Sequence, residues 1–304
     1  MSYVLRLAVI NRAPEVPITE EQALEARRAY RALNAAFALE ETYDLLVSNF
    51  LEFDQEALCA AARYVVQDSR TYEEFFEERA RANRRIVNLH TAARLYLDHV
   101  PQHLSECASN PEDAVGEFNK ATAIQFDSRY SYRFMEALRN HVQHSGLAVH
   151  VVSHNSQWSG KEPAVINETR LSLISKREYF EENKKFHRKT LAEMPATVEL
   201  LQASREYLEG LGTVHGTVRE IINTPALEAR RAFQGLIDSY ALVNEGDTLG
   251  LSVMRVSGNE REKVIPVFLD WDDVRLKLVA RNTTLTNLSS RVAASRLGIP
   301  WRPD

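Results

Sequence analysis

The stretch Arg139-Asn140-His141-Val142-Gln143-His144 gathers side chains suited to work on a phosphate. Four residues separate Arg139 from His144, and Asn140 directly follows the arginine. Histidine titrates near neutral pH, so His144 can take up and release protons. Arginine keeps its charge and presents a planar fork that matches phosphate oxygens, so Arg139 can hold a phosphate and the charge that develops on it. Asn140 can orient either of them. The scheme needs no metal and no cofactor. Arg85–His90 and Arg94–His99 have the same spacing, but Ile86 and Leu95 follow those arginines. Both pairs lie in a strongly apolar-striped stretch and read as structural.

Two other patterns invite chemistry. His141, His144, His150 and His154 are close in sequence, yet no carboxylate or cysteine lies among them to complete a common ligand set, so no metal is expected. The segment KREYFEENKKFHRK, residues 176–189, interleaves Tyr179, Phe180 and Phe186 with lysine and arginine. It could grip a phosphate backbone with its aromatics stacked on bases. An amphipathic helix with a solvated charged face is the simpler reading. The chain has no glycine-rich phosphate loop, nucleophile elbow, zinc-binding HExxH or paired CxxC.

The elements that must position these residues are mostly helical. Tyr3–Ile10 reads as a strand closed by Pro14 and Pro17. Thr19 and Gln22 have capping-box spacing and open a long Ala/Leu/Glu/Arg-rich helix, with a second helix expected at LCAAARYVV. A helix from about Thr71 buries Ile86, Leu89, Ala93, Tyr96 and Val100, and Pro101 should end or bend it. Tyr130, Phe134, Leu138 and Val142 stripe the helix that carries the hexapeptide, with Ala137 and His141 alongside and Gly146 placed as its cap. LAVHVVSH and ETRLSLIS read as strands, and residues 176–193 as a charged helix. Helices are expected at 196–222, 226–243 and 271–296. LGLSVMRV and KVIPVFLD form a hairpin around Ser257, Gly258 and Asn259, with Pro266 marking an edge strand.

The hexapeptide resembles the R-x(4–6)-H signature of the HEPN superfamily (higher eukaryotes and prokaryotes nucleotide-binding domain), in which a polar residue, often Asn, follows the arginine. Asn140 supplies it here. No subfamily is identified. The resemblance implies a HEPN-like helical bundle and a metal-independent endoribonuclease of toxin or phage-defence type. Its substrate would be RNA, cut through attack by the 2′-hydroxyl. The tyrosine that follows the motif in nucleotide-silenced members is replaced by Ser145 and Gly146. On an ideal helix, Arg139 and His144 point roughly 140° apart. Either a loosened last turn or, as the family implies, a homodimer with paired motifs would bring them together. An antitoxin or defence partner follows from the same likeness.

Composition sets outer bounds. The 304 residues carry 44% apolar and 26% charged side chains and a net charge of −5, which disfavours bulk coating of nucleic acid. Cys59 and Cys107 read as small buried hydrophobes rather than a disulfide framework. No signal-peptide layout or membrane-length apolar run is present, so a cytoplasmic protein without membrane contact is expected. The fold class expected is mainly α (α+β), a single helical domain over 1–304 with β insertions. A subdivision into a motif-bearing part, 1–158, and a remainder, 159–304, is the other arrangement considered. The alternative function is a non-catalytic helical protein that binds protein or nucleic acid, with Arg139 and His144 serving only the helix dipole or a salt bridge to Glu136.

Overall fold

Residues 2–8, 13–67, 71–159, 165–258, 260–291 and 293 are described by the computed structural model. Among the described residues helices predominate, with two small antiparallel sheets, so the chain is mainly α with a β component. It folds as two compact units. One comprises Met1–Asp44, Tyr96–Lys120 and His215–Thr283, and the other Leu45–Leu95, Ala121–Val214 and Thr284–Asp304.

The first unit opens with β1 (Ser2–Leu7) and β2 (Val16–Ile18). Ile10 of the expected first strand lies outside the described residues. The helix α1 (Glu20–Val66) begins where its capping box predicts: the Thr19 N–H donates to Gln22 Oε1 at 2.8 Å and the Gln22 N–H to Thr19 Oγ1 at 3.1 Å. It absorbs both expected helices without a break. The helix α2 (Tyr72–Cys107) also runs further than expected, straight through Pro101. The apolar stripe explains this, because Val100, Leu104 and Cys107 stay buried on both sides of the proline.

After α3 (Pro111–Ser128) and α4 (Tyr130–His144) come β3 (Val151–Ser159) and β4 (Ile166–Lys176). The charged segment is not one helix. It folds as α5 (Glu178–Glu181), a turn, and α6 (Arg188–Glu193), followed by β5 (Thr197–Glu199). The helix α7 (Leu200–Ala241) joins the two expected helices across Pro225. The hairpin is formed by β6 (Leu251–Ser257) and β7 (Glu260–Pro266), with Gly258 at φ +56° and Asn259 outside the described residues. The last helix, α8, is shorter than expected, Asp270–Arg281, and the tail of the expected helix at residues 292 and 294–296 is not described.

The first unit's sheet has the order β2-β1-β6-β7, so β7 with Pro266 is an edge strand as the proline requires. Leu5, Leu7, Leu251 and Val253 are buried from it. Its helical core encloses a polar network. Arg219 donates to Glu40 from Nε at 2.8 Å and from Nη2 at 2.6 Å. His215 lies 3.2 Å from the same carboxylate through Nε2 and 3.0 Å from the Tyr96 hydroxyl through Nδ1, and its ring stacks on Tyr43 at 3.7 Å. Cys107 is buried here and its thiol is pushed up to about 12, whereas Cys59, in the second unit, is exposed rather than buried.

The second unit holds the sheet β3-β4-β5 and the whole of α4. Phe134, Met135 and Leu138 are fully buried, and Tyr132 packs edge-on against Tyr207 at 5.0 Å. No described helix is long and apolar enough to cross a membrane.

Candidate functional site at the end of α4

The helix α4 owes its form to its buried face: Ser131, Tyr132, Phe134, Met135, Ala137, Leu138 and His141 recur at helical spacing. Its start has no side-chain cap, so packing rather than capping holds it. The apolar face is turned slightly from the one expected, toward His141, while Tyr130 and Val142 are half-buried. The helix stays regular through His144. The Ser145 and Gly146 N–H groups both return to the His141 carbonyl, at 2.7 and 3.1 Å. The helical run extends through His144, and on an ideal helix residues spaced as Arg139 and His144 point roughly 140° apart.

Arg139 lies largely inside the unit, its side chain 14% exposed. Its Nη1 donates to Gln143 Oε1 at 3.3 Å, one turn on, and its Nε sits 3.8 Å from Glu136 Oε2. That is too long for a hydrogen bond, and Nε is buried without a bonding partner among the described residues. Glu136 instead accepts the Tyr207 hydroxyl. Behind them lies His90, buried with both ring nitrogens unpartnered among the described residues. Burial first, and the Arg139 charge second, push its pKa down to about 3. His90 is thus a neutral interior ring. Its companion in spacing, Arg85, is at the surface and pairs with Glu52.

Asn140 is half-buried and His144 exposed. They stand four residues apart and share a helix face, so the polar residue after the arginine accompanies the histidine rather than the arginine. One copy of the chain thus brings Asn140 and His144 together and leaves Arg139 on another face.

Of the four neighbouring histidines, His144 is exposed and His141 and His150 both pack on Phe180, at 4.7 and 5.4 Å. His141 is buried, accepts the Asn183 side-chain N–H at Nδ1 over 2.9 Å, and has its pKa lowered by burial. His150 accepts the Lys176 N–H at 2.9 Å and stacks on Tyr179 at 4.1 Å; burial and the positive field of neighbouring groups lower it to about 4. His154 meets Glu78 at 2.8 Å and stacks on Tyr64 at 4.1 Å. Among the described residues no three metal-ligating side chains form a group.

Sequence reasoning named Glu136 but missed Tyr207, His90 and Asn183 as the surroundings of the hexapeptide. Their sequence separations from it are large, and single-sequence periodicity carries no signal for such pairs. Of the interleaved aromatics, Phe180 and Phe186 are buried and stack together at 4.6 Å, and Tyr179 is exposed. The chain matches no family model, no curated protein and no solved structure.

Proposed function

We propose that the chain is a HEPN-like, metal-independent endoribonuclease that works as a homodimer, of toxin or phage-defence type. The observation that carries the reading is the placement of the hexapeptide: an exposed His144 with Asn140 on its face, and an Arg139 anchored at its root whose Nη1 end reaches Gln143 at the surface. In this reading the RNA 2′-hydroxyl attacks the adjacent phosphorus and the 5′-oxygen leaves, giving a 2′,3′-cyclic phosphate and a 5′-hydroxyl. His144 of one copy removes the 2′ proton and the second copy's equivalent protonates the leaving oxygen. Arg139 offsets the charge on the phosphoryl oxygens. The divergence of the two side chains on a regular helix fits a site completed by a second copy.

The second reading is a non-catalytic interaction protein. The ties of Arg139 to Gln143 and its closeness to Glu136 favour it, because they account for the arginine without substrate. Incubating wild type and His144→Ala with end-labelled RNA in excess EDTA separates the two. The ribonuclease reading expects cyclic-phosphate ends from wild type alone. Intact RNA with both proteins, across a range of RNA sequences, would move the assignment to the second reading.

A further inference from the structure

The segment from Lys176 at the end of β4 to Lys189 in the first turn of α6 has polarised charge. At its leading end the cations are compensated: Lys176 pairs with Glu178 at 3.2 Å and Arg177 with Glu181 at 3.5 Å. Its trailing end, residues 184–189, contains no acid. Lys184, Lys185, Arg188 and Lys189 are all exposed there and make no ion pair among the described residues. This cationic end is not a loose tail. The Asn183 side chain bonds His141, the Lys185 N–H donates to Asn183 Oδ1 at 2.9 Å, and Phe180 and Phe186 pack under it against His141. The segment that carries the four cations is thereby packed on His141, in the last turn of α4, which ends in His144.

Aromatic surface begins five residues before Lys184 on the same segment. Tyr179 is 55% exposed with one face stacked on His150. His150 also lines a groove of about 190 Å³ with Tyr72, Phe75, Phe76, Arg79 and Val151. Tyr72 is 83% and Phe76 51% exposed, and the Arg79 guanidinium lies over the Phe76 ring at 5.8 Å. Exposed aromatics that line one contiguous groove, rather than standing singly, mark a surface suited to binding. Fixed cations next to stacking rings and an Arg are the combination that holds an unpaired nucleic-acid strand, with phosphates on the lysines and bases on the rings. A duplex keeps its bases stacked internally and has none to offer these rings.

We infer that this face is a single-stranded RNA track: Lys184, Lys185, Arg188 and Lys189 take the backbone, and Tyr179 with the Tyr72–Phe76–His150 groove takes bases, so that a strand is delivered to the end of α4. The inference rests on the ribonuclease reading for its substrate but not for its test. Binding is measured in the full-length His144→Ala protein by fluorescence anisotropy, with a labelled oligouridine of about twelve nucleotides and an RNA duplex of similar length. Two variants are compared. One reverses the four cations (Lys184→Glu, Lys185→Glu, Arg188→Glu, Lys189→Glu), and the other removes rings (Tyr179→Ala, Phe76→Ala). All six positions are exposed or on a surface groove, and circular dichroism confirms folding.

The track predicts single strand bound more tightly than duplex, with log affinity falling against log salt at a slope of about −3, from about −0.7 for each of four phosphate contacts. The charge variant should lose affinity at least about tenfold and flatten the slope, and the ring variant should lose about fivefold or more with the slope kept. Equal binding of duplex and single strand, or unchanged affinity in both variants, overturns it. Binding by the track without cleavage by wild type would keep the track and remove the nuclease; cleavage with unaltered affinity in both variants would do the reverse.

Discussion

The Asn183 amide donates to Nδ1 of His141 across 2.9 Å, joining a surface turn to the buried face of α4. A donor at Nδ1 requires a neutral ring there, consistent with the lowering of the His141 pKa by burial. Asn183→Ala leaves the ring nitrogen unpaired and should cost about 1–3 kcal/mol in urea unfolding. A variant as stable as wild type would mean that the turn is held by Phe180 and Phe186 alone.

Gly146 is required for a different reason from the one its position suggests. It does not have the positive φ of a left-handed cap. A Cβ there would sit 2.7 Å from His141 Nε2, so the ring and the glycine exclude any larger residue. Gly146→Ala should destabilise by about 1–3 kcal/mol, while the double variant Gly146→Ala, His141→Ala should show clear non-additivity. Strict additivity in thermal unfolding would sink the packing argument.

For the proposed nuclease, His144→Ala should lower the single-turnover cleavage rate by about 100-fold or more. Because His144 is exposed, its stability should change by no more than about 0.5 kcal/mol. Arg139→Lys keeps the charge but loses the fork and should also be impaired. Wild-type rates in both variants would reject the assignment.

His90 offers an internal control. Its pKa is held near about 3, against an ordinary 6.5, mainly by burial. The unfolded chain therefore takes up a proton below about pH 6.5 that the folded chain refuses, and stability drops as pH falls from there toward about 3. His90→Leu should remove that part of the acid sensitivity in melting curves and leave cleavage unchanged. Loss of cleavage with an intact fold would shift the site from Arg139–His144 toward the interior ring.

Glu40 has the opposite sign. Burial pushes its carboxyl up, but the bonds from Arg219 and His215 outweigh this and hold it at about 2 instead of 4.5. Its contribution, roughly 3 kcal/mol, is complete above about pH 4.5 and is lost as pH falls through about 2. Glu40→Ala leaves Arg219 partly buried without its partner and should cost about 3–5 kcal/mol at neutral pH. A denaturation midpoint equal to wild type would show the network to be dispensable.

What could be read from the chain was local. Thr19 and Gln22 announced their capping box because both partners lie within one turn, and the β6–β7 hairpin was visible from its alternation, Gly258 and Pro266. The stripe of α4 was legible to within a small rotation. Pro101 misled because tertiary burial on either side outweighs the local cost of a proline in a helix. The charged segment misled because its hydrophobic residues are spent on His141, a partner far away in sequence. At the candidate site, Arg139, Asn140 and His144 were singled out by type and spacing, and the continuation of their helix through His144 was not foreseen.

That continuation has a consequence for dosage. If no single copy can turn both Arg139 and His144 onto one phosphate, then under the ribonuclease reading the rate per molecule climbs with the number of molecules present. At low abundance encounters are rare and the protein is harmless to its host; past the dissociation constant of the pair, each new copy recruits a sleeping one. The regular last turn of α4 would act as a threshold written into one helix, setting how much protein a cell can carry before its RNA is at risk.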